Sequence, residues 1–211
     1  MSDKYYVYRP LLELLGRSEG TSAHDGYNET LGYGAYTGGD VNLVGMTLAE
    51  IDALQTKMLR HPKNKLRSSA LGMYQIVRTT LREIKKTLDL PESAKFDAEM
   101  QDCMGCYLLG VRGIDKWLAG RLSEDTMINN LAKEWASIPT TSGKGYYSGQ
   151  NAAVKVGDVR DALYKVRDRH VSGQIPPSPS VPVSTTTKEV EPTETLGSIL
   201  GRLFNWLFGR T

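Results

Sequence analysis

The chain has 211 residues, 40% of them hydrophobic, enough for one good core and too few for two large domains. A formal net charge of +2 excludes a dominating nucleic-acid footprint, so no nucleic-acid partner is expected. The only two cysteines exclude a disulfide framework, and no apolar run reaches the ~18 residues that a membrane span needs.

Residues Ser2 to Arg9 are polar and aromatic, and Glu13 interrupts the apolar run that follows, so no secretory signal is read here. Synthesis in the cytoplasm is expected, with release by another agent if the protein acts outside. Pro10 suits the first turn of a helix, where its missing N–H costs nothing. Leu11, Leu12, Leu14 and Leu15 supply an apolar face, and Glu19 follows Leu15 by four residues, on the same side. Gly20 then offers a helix stop. A carboxyl at the C-terminal end of an apolar stripe is poorly hydrated and faces the negative end of the helix dipole. Both effects favour its protonated form, as a general acid near neutral pH requires. The competing reading is a Glu that turns to solvent in the last turn.

Gly20 to Gly45 carries seven glycines interleaved with Tyr27, Tyr33 and Tyr36, a composition for short strands with tight turns or for an irregular lobe. Thr47 and Glu50 form a capping box that opens a helix through Arg60, ended by His61-Pro62. The next helix is expected to carry Ile76, Val77, Leu81, Ile84 and Leu88. Further helices are expected over Ser93–Gly110, Gly113–Ala119, Ser123–Trp135 and Ala152–His170, with a polar Gly/Tyr loop over Thr140–Asn151.

From Lys57 to Lys86 the chain is basic, with Glu83 the lone acid. This is a solvated face or an attraction to a polyanion such as a bacterial envelope. The Cys103-Met-Gly-Cys106 spacing formally matches a redox or half-zinc motif, but it lies in an apolar helix without a second pair and reads as core packing. His24, His61 and His170 are far apart and show no ligand spacing, so neither a metal nor a cofactor is expected, and a metal-dependent amidase is disfavoured.

Composition changes at Ser172. Residues 172–195 are rich in Pro, Ser and Thr and read as an extended disordered linker after a globular domain over residues 1–171. Residues 196–211 read as an amphipathic helix, with Leu200, Leu203, Phe204, Trp206 and Leu207 on one broad face and Arg202 opposite. This helix either lies in a membrane interface, or docks on its own domain or self-associates.

Three pieces in order carry a resemblance: Ser18-Glu19-Gly20-Thr21 with Gly26-Tyr27-Asn28; Ser68 to Ile76 (Ser-Ser-Ala-Leu-Gly-Met-Tyr-Gln-Ile); and Trp135 to Pro139 followed by Gly145-Tyr146-Tyr147-Ser148-Gly149-Gln150. Together they resemble the lambda-type phage endolysins of the lysozyme-like superfamily, which cleave peptidoglycan glycan strands, over roughly residues 9–170. The middle piece is also similar to the Ser-x-Gly-Leu-Met-Gln motif of lytic transglycosylases. The resemblance implies an α+β, predominantly helical, two-lobed fold with a small irregular β lobe; a monomer made in the host bacterial cytoplasm is expected. It implies Glu19 as the catalytic acid, Gln75 as a polar neighbour, and Tyr74, Tyr146 and Gln150 along the glycan groove. Tyr27 and Asn28 either orient Glu19 or the N-acetyl group, or build the turn.

Among second-acid candidates, Asp25, Glu29 and Asp40, none stands out from the sequence. In the family it resembles, the substrate's N-acetyl group assists and its 6-hydroxyl attacks, leaving a 1,6-anhydro sugar. Lytic transglycosylation is therefore expected ahead of hydrolysis of the same bond. A non-catalytic glycan-binding virion protein is the remaining alternative.

Overall fold

The computed structural model describes residues 3–173. The expected linker beyond Gly173 and the amphipathic segment with Leu200, Arg202, Leu203, Phe204, Trp206 and Leu207 lie outside the described residues. Helix α1 (Arg9–Ser18) is the central element. Its four leucines are at most 1% exposed, and only Glu13 and Arg17 are open to solvent. A helix buried on nearly all sides is a core helix, and α7 (Val156–Ser172) runs against it, with α4 (Ala98–Val111) on another side. Gly105 of α4 makes the second approach close: a side chain there would meet Leu12 and Tyr74 at 3.0 and 3.1 Å.

Between these lie α2 (Leu48–Arg60) and α3 (Arg78–Thr87), and after α4 come α5 (Ile114–Leu118) and α6 (Glu124–Glu134). The capping box of α2 forms as the sequence predicts: Glu50 accepts the Thr47 N–H at 2.7 Å, and Thr47 Oγ1 accepts the Glu50 N–H at 3.3 Å. Three helices start later than their apolar periodicity suggests. Ile76 and Val77 do not enter α3, because Ile76 exchanges both backbone hydrogen bonds with Leu71. Helix α4 waits for Asp97, whose carboxylate caps the Met100 N–H, while Phe96 N–H is taken by the Met46 carbonyl. Helix α7 begins after Asp158 accepts the Lys155 N–H, and it ends at Ser172, with Gly173 in the left-handed region.

The glycine-rich stretch forms the irregular lobe. It consists of turns and short 3-10 segments at Thr21–Ala23, Gly26–Asn28 and Leu43–Gly45, and its pairing to the rest is the isolated bridge Thr30–Leu71. Gly34 shows why glycine is needed: with φ +81°, a side chain there would fall within 3 Å of the Gly39 backbone. Side chains replace the missing sheet ladder. Asn28 Oδ1 accepts the Val44 N–H, Thr30 Oγ1 the Gly34 N–H, and the buried Glu29 carboxylate the N–H groups of Thr30 and Asp25.

The hairpin over residues 69–76 is held from both sides by buried glutamines. Gln55 of α2 donates to the carbonyls of Ser69 and Ile76. Gln101 of α4 donates to those of Tyr27 and Phe96 and accepts the Met73 N–H. Beside it, Asp102 accepts from Tyr27 at 2.7 Å and Tyr74 at 2.6 Å and pairs with Arg9 at 2.8 Å. One buried carboxylate thereby joins α1, the lobe, the hairpin and α4. Replacing it by Ala takes the acceptor from two hydroxyls and the carboxylate from Arg9. Asp102→Ala is expected to cost about 3–5 kcal/mol of unfolding free energy by denaturant titration; a loss under ~1 kcal/mol would show that the knot is peripheral.

Candidate active site

Glu19 stands at the C-cap of α1, still in helical conformation, and Gly20 in the left-handed region turns the chain away immediately after it. Its carboxyl therefore projects from the end of the central helix rather than from an exposed loop. The partner comes from the turn after α6, where Ser137 Oγ donates to Glu19 Oε1 at 2.6 Å. Ser137 also lies 2.9 Å from Ser18 Oγ, and Ser18 Oγ is 3.0 Å from the Leu15 carbonyl.

The turn that carries Ser137 is fixed. Ala153 N–H donates to the Ser137 carbonyl at 2.8 Å, Ile138 N–H to Trp135, and the Trp135 indole reaches the Tyr74 carbonyl at 3.4 Å. On the other side, Thr21 Oγ1 donates toward the Met73 carbonyl at 2.7 Å and lies 3.1 Å from that of Gly16. The segment after Glu19 is thus tied to the hairpin. The three pieces quoted from the sequence converge here: Ser18 to Thr21, the hairpin through Met73 and Tyr74, and Trp135 to Ile138.

Burial raises the Glu19 carboxyl above the ordinary carboxylate range, and the Ser137 hydroxyl pulls it part of the way back. Among the described residues, no charged neighbour enters that balance. The site therefore holds a carboxyl whose protonated form is favoured more than in a free glutamate.

The other sequence-derived residues are placed as follows. Tyr74 is 2% exposed and, with Tyr27, directs its hydroxyl to Asp102. Both rings line a cleft of ≈ 310 Å³ beside α1, together with Arg9, Arg17, Ser22 and Met73. Gln75 has φ +50°, and its amide donates to the Gly72 carbonyl of its own turn at 3.0 Å. Asn28 joins the two ends of the lobe through Val44. Tyr146 is half exposed in the loop after the Ser137 turn, edge-on to Tyr147 at 5.1 Å and 5.8 Å from the Lys133 ammonium. The Gln150 N–H donates to the Tyr147 carbonyl within that loop. Among the described residues, Ser137 is the hydrogen-bond partner of the Glu19 carboxyl.

Sequence reasoning does not single out Ser137, Ser18, Gln55 or Gln101. Ser18 and Ser137 sit inside the quoted motifs, but nothing in a sequence pairs residues 118 positions apart. Among the described residues, no His, Cys, Asp and Glu converge as a metal site. Cys106 is buried and Cys103 partly so, and the two form no disulfide with each other.

Comparison with known proteins adds the family. No curated protein and no solved structure gives a significant match. The family model described as Endolysin matches residues 9–168, from the first residue of α1 to the last turns of α7. The chain belongs to the endolysin family, the phage enzymes that degrade the bacterial cell wall in lysis.

Proposed function

We propose that the protein cleaves the β-1,4 bond between N-acetylmuramic acid and N-acetylglucosamine in peptidoglycan, as a lytic transglycosylase with Glu19 as general acid and then base. The observation that carries this reading is the Glu19 carboxyl itself: largely buried, in contact with a hydroxyl and, among the described residues, with no cation that holds it ionised. Cleavage of a glycosidic bond needs a proton on the leaving oxygen and relief of an oxocarbenium-like carbon. Glu19 supplies the proton. The substrate's N-acetyl oxygen stabilises the carbon. Glu19, now ionised, takes the proton of the 6-hydroxyl as that oxygen attacks, leaving a 1,6-anhydro end.

Support for substrate assistance comes from the other acids. Glu29, the buried acid nearest in sequence, uses its carboxylate oxygens on backbone N–H groups of the lobe. Asp25 and Asp40 are exposed among the turns. Hydrolysis would need a second carboxylate placed against the same bond to activate water or attack, a role that Glu29 is not free to take.

Glu19→Gln is expected to abolish release of fragments from purified sacculi, and wild-type fragments are expected to end in anhydro sugars by mass spectrometry. Reducing ends would identify a hydrolase instead, and full activity of Glu19→Gln would remove the mechanism altogether. The raised Glu19 pKa also sets two pH signs. Activity that needs the protonated acid falls as pH rises through that pKa. Between the ordinary Glu value and the folded value, the native state holds a proton that the unfolded state has lost, so stability declines as pH rises. Glu19→Gln is therefore expected to melt at the same or a higher temperature than wild type at pH 7, with the gap closing in acid.

We infer further that residues 196–211 engage a bacterial membrane or lipopolysaccharide, on the strength of their amphipathic pattern with Trp206 and Arg202. Removing residues 174–211 cuts the chain just after α7 and its capping glycine. The truncated protein is expected to digest sacculi as before and to lose binding to anionic vesicles. Undiminished vesicle binding would overturn the role.

A further inference from the structure

Ser137 Oγ lies 2.6 Å from Glu19 Oε1 and 2.9 Å from Ser18 Oγ. A hydroxyl carries one hydrogen, so it donates to one of them at a time. Ser18 Oγ is itself 3.0 Å from the Leu15 carbonyl, which also receives the Glu19 N–H at 2.9 Å. These contacts form a chain with two self-consistent hydrogen directions. With Glu19 protonated, its O–H donates to Ser137, Ser137 to Ser18, and Ser18 to Leu15. With Glu19 ionised, Ser18 donates to Ser137 and Ser137 to the carboxylate, while Leu15 keeps the Glu19 N–H. No polar atom is orphaned in either direction.

Resting on the reading of Glu19 as acid and then base, we propose that Ser137, backed by Ser18, is a positioning residue whose hydroxyl reverses with the proton on Glu19, accepting from the acid and donating to the base. Two features suit the pair to this task. Ser18 is 5% exposed, so bulk water does not replace its partners. The Ser137 backbone is fixed by Ala153 and the neighbouring Trp135 turn, so the oxygen stays in place while only its hydrogen moves. Reorganisation between the two protonation states is then limited to two hydroxyl rotations, the kind of preorganisation that lowers the cost of moving charge. The causes of the Glu19 shift are burial and this one hydroxyl, with no charged group of α1, of the turn after it or of the Ser137 segment among them. The hydroxyl chain is consequently the adjustable part of the site.

The test follows the Glu19 carboxyl by 13C NMR titration, with the pH profile of sacculus digestion, in wild type, Ser137→Ala and Ser18→Ala. Ser137→Ala removes the donor to the charged form, and the titration is expected to move upward by on the order of one pH unit. Ser18→Ala removes the alternative acceptor, leaves the Ser137 hydrogen to the carboxylate alone, and is expected to move the titration downward. The alkaline limb of activity follows each shift. Ser137→Cys, a weak donor, gives a smaller upward shift and serves if the Ala variant does not fold. A merely structural role would lower activity or melting temperature in both variants without moving the titrations apart. Shifts of the same sign, or none, overturn the proposal. Full activity of Glu19→Gln overturns instead the reading of Glu19, and the opposed NMR shifts would still stand.

Discussion

Asp102 is the constraint on which the rest depends. The residue is 5% exposed, and its carboxylate takes donors from Arg9, Tyr27 and Tyr74, which belong to three separate parts of the chain. A buried charge is tolerated only where its partners are correctly placed, so alternative packings of the lobe or hairpin against α1 carry a large desolvation cost. Such an ion pair adds little net stability compared with apolar packing, but it discriminates strongly between registers. The lobe needs that discrimination because it has no sheet ladder to set its register. Gln101, the adjacent residue on α4, completes the arrangement by fixing the backbone of Tyr27 and Met73.

Two carboxyls at opposite ends of α1 show how environment sets the behaviour of the same chemical group. Asp102 is surrounded by a guanidinium and two phenols and acts as an acceptor that organises structure. Glu19, at the far end of α1 from Arg9, has burial and one hydroxyl, and its proton is held toward higher pH. One helix thus links the structural knot at its first residue to the acid at its cap. Displacement of α1 along its axis would be felt at both ends, and the four fully buried leucines between them resist it.

The hairpin over residues 69–76 is the element where local and tertiary signals diverge. Ile76 and Val77 fit the periodicity of the following helix, yet Ile76 pairs with Leu71 and the helix starts at Arg78. The reason lies outside the segment. Gln55 and Gln101 meet its carbonyls and N–H groups from helices on either side, and Gly72 leaves no room for a side chain against Gln101. A buried backbone satisfied in this way has no need to become helical. Gln75, expected as a polar neighbour of the acid, has a left-handed backbone, and its amide donates to the Gly72 carbonyl of its own turn.

The sequence by itself determined the helical character of the domain, the capping box of α2, the glycine-rich irregular lobe and the placement of Glu19 at the end of an apolar helix. These are local properties, set by periodicity of 3.6, by cap chemistry and by the backbone freedom of glycine. Only the tertiary structure decided what Glu19 touches, which tyrosines are tied to Asp102, and that two serines 119 positions apart meet at the Glu19 carboxyl. Those outcomes depend on which buried polar atoms find partners across more than a hundred residues, and that matching is a property of the packed core rather than of any stretch of chain.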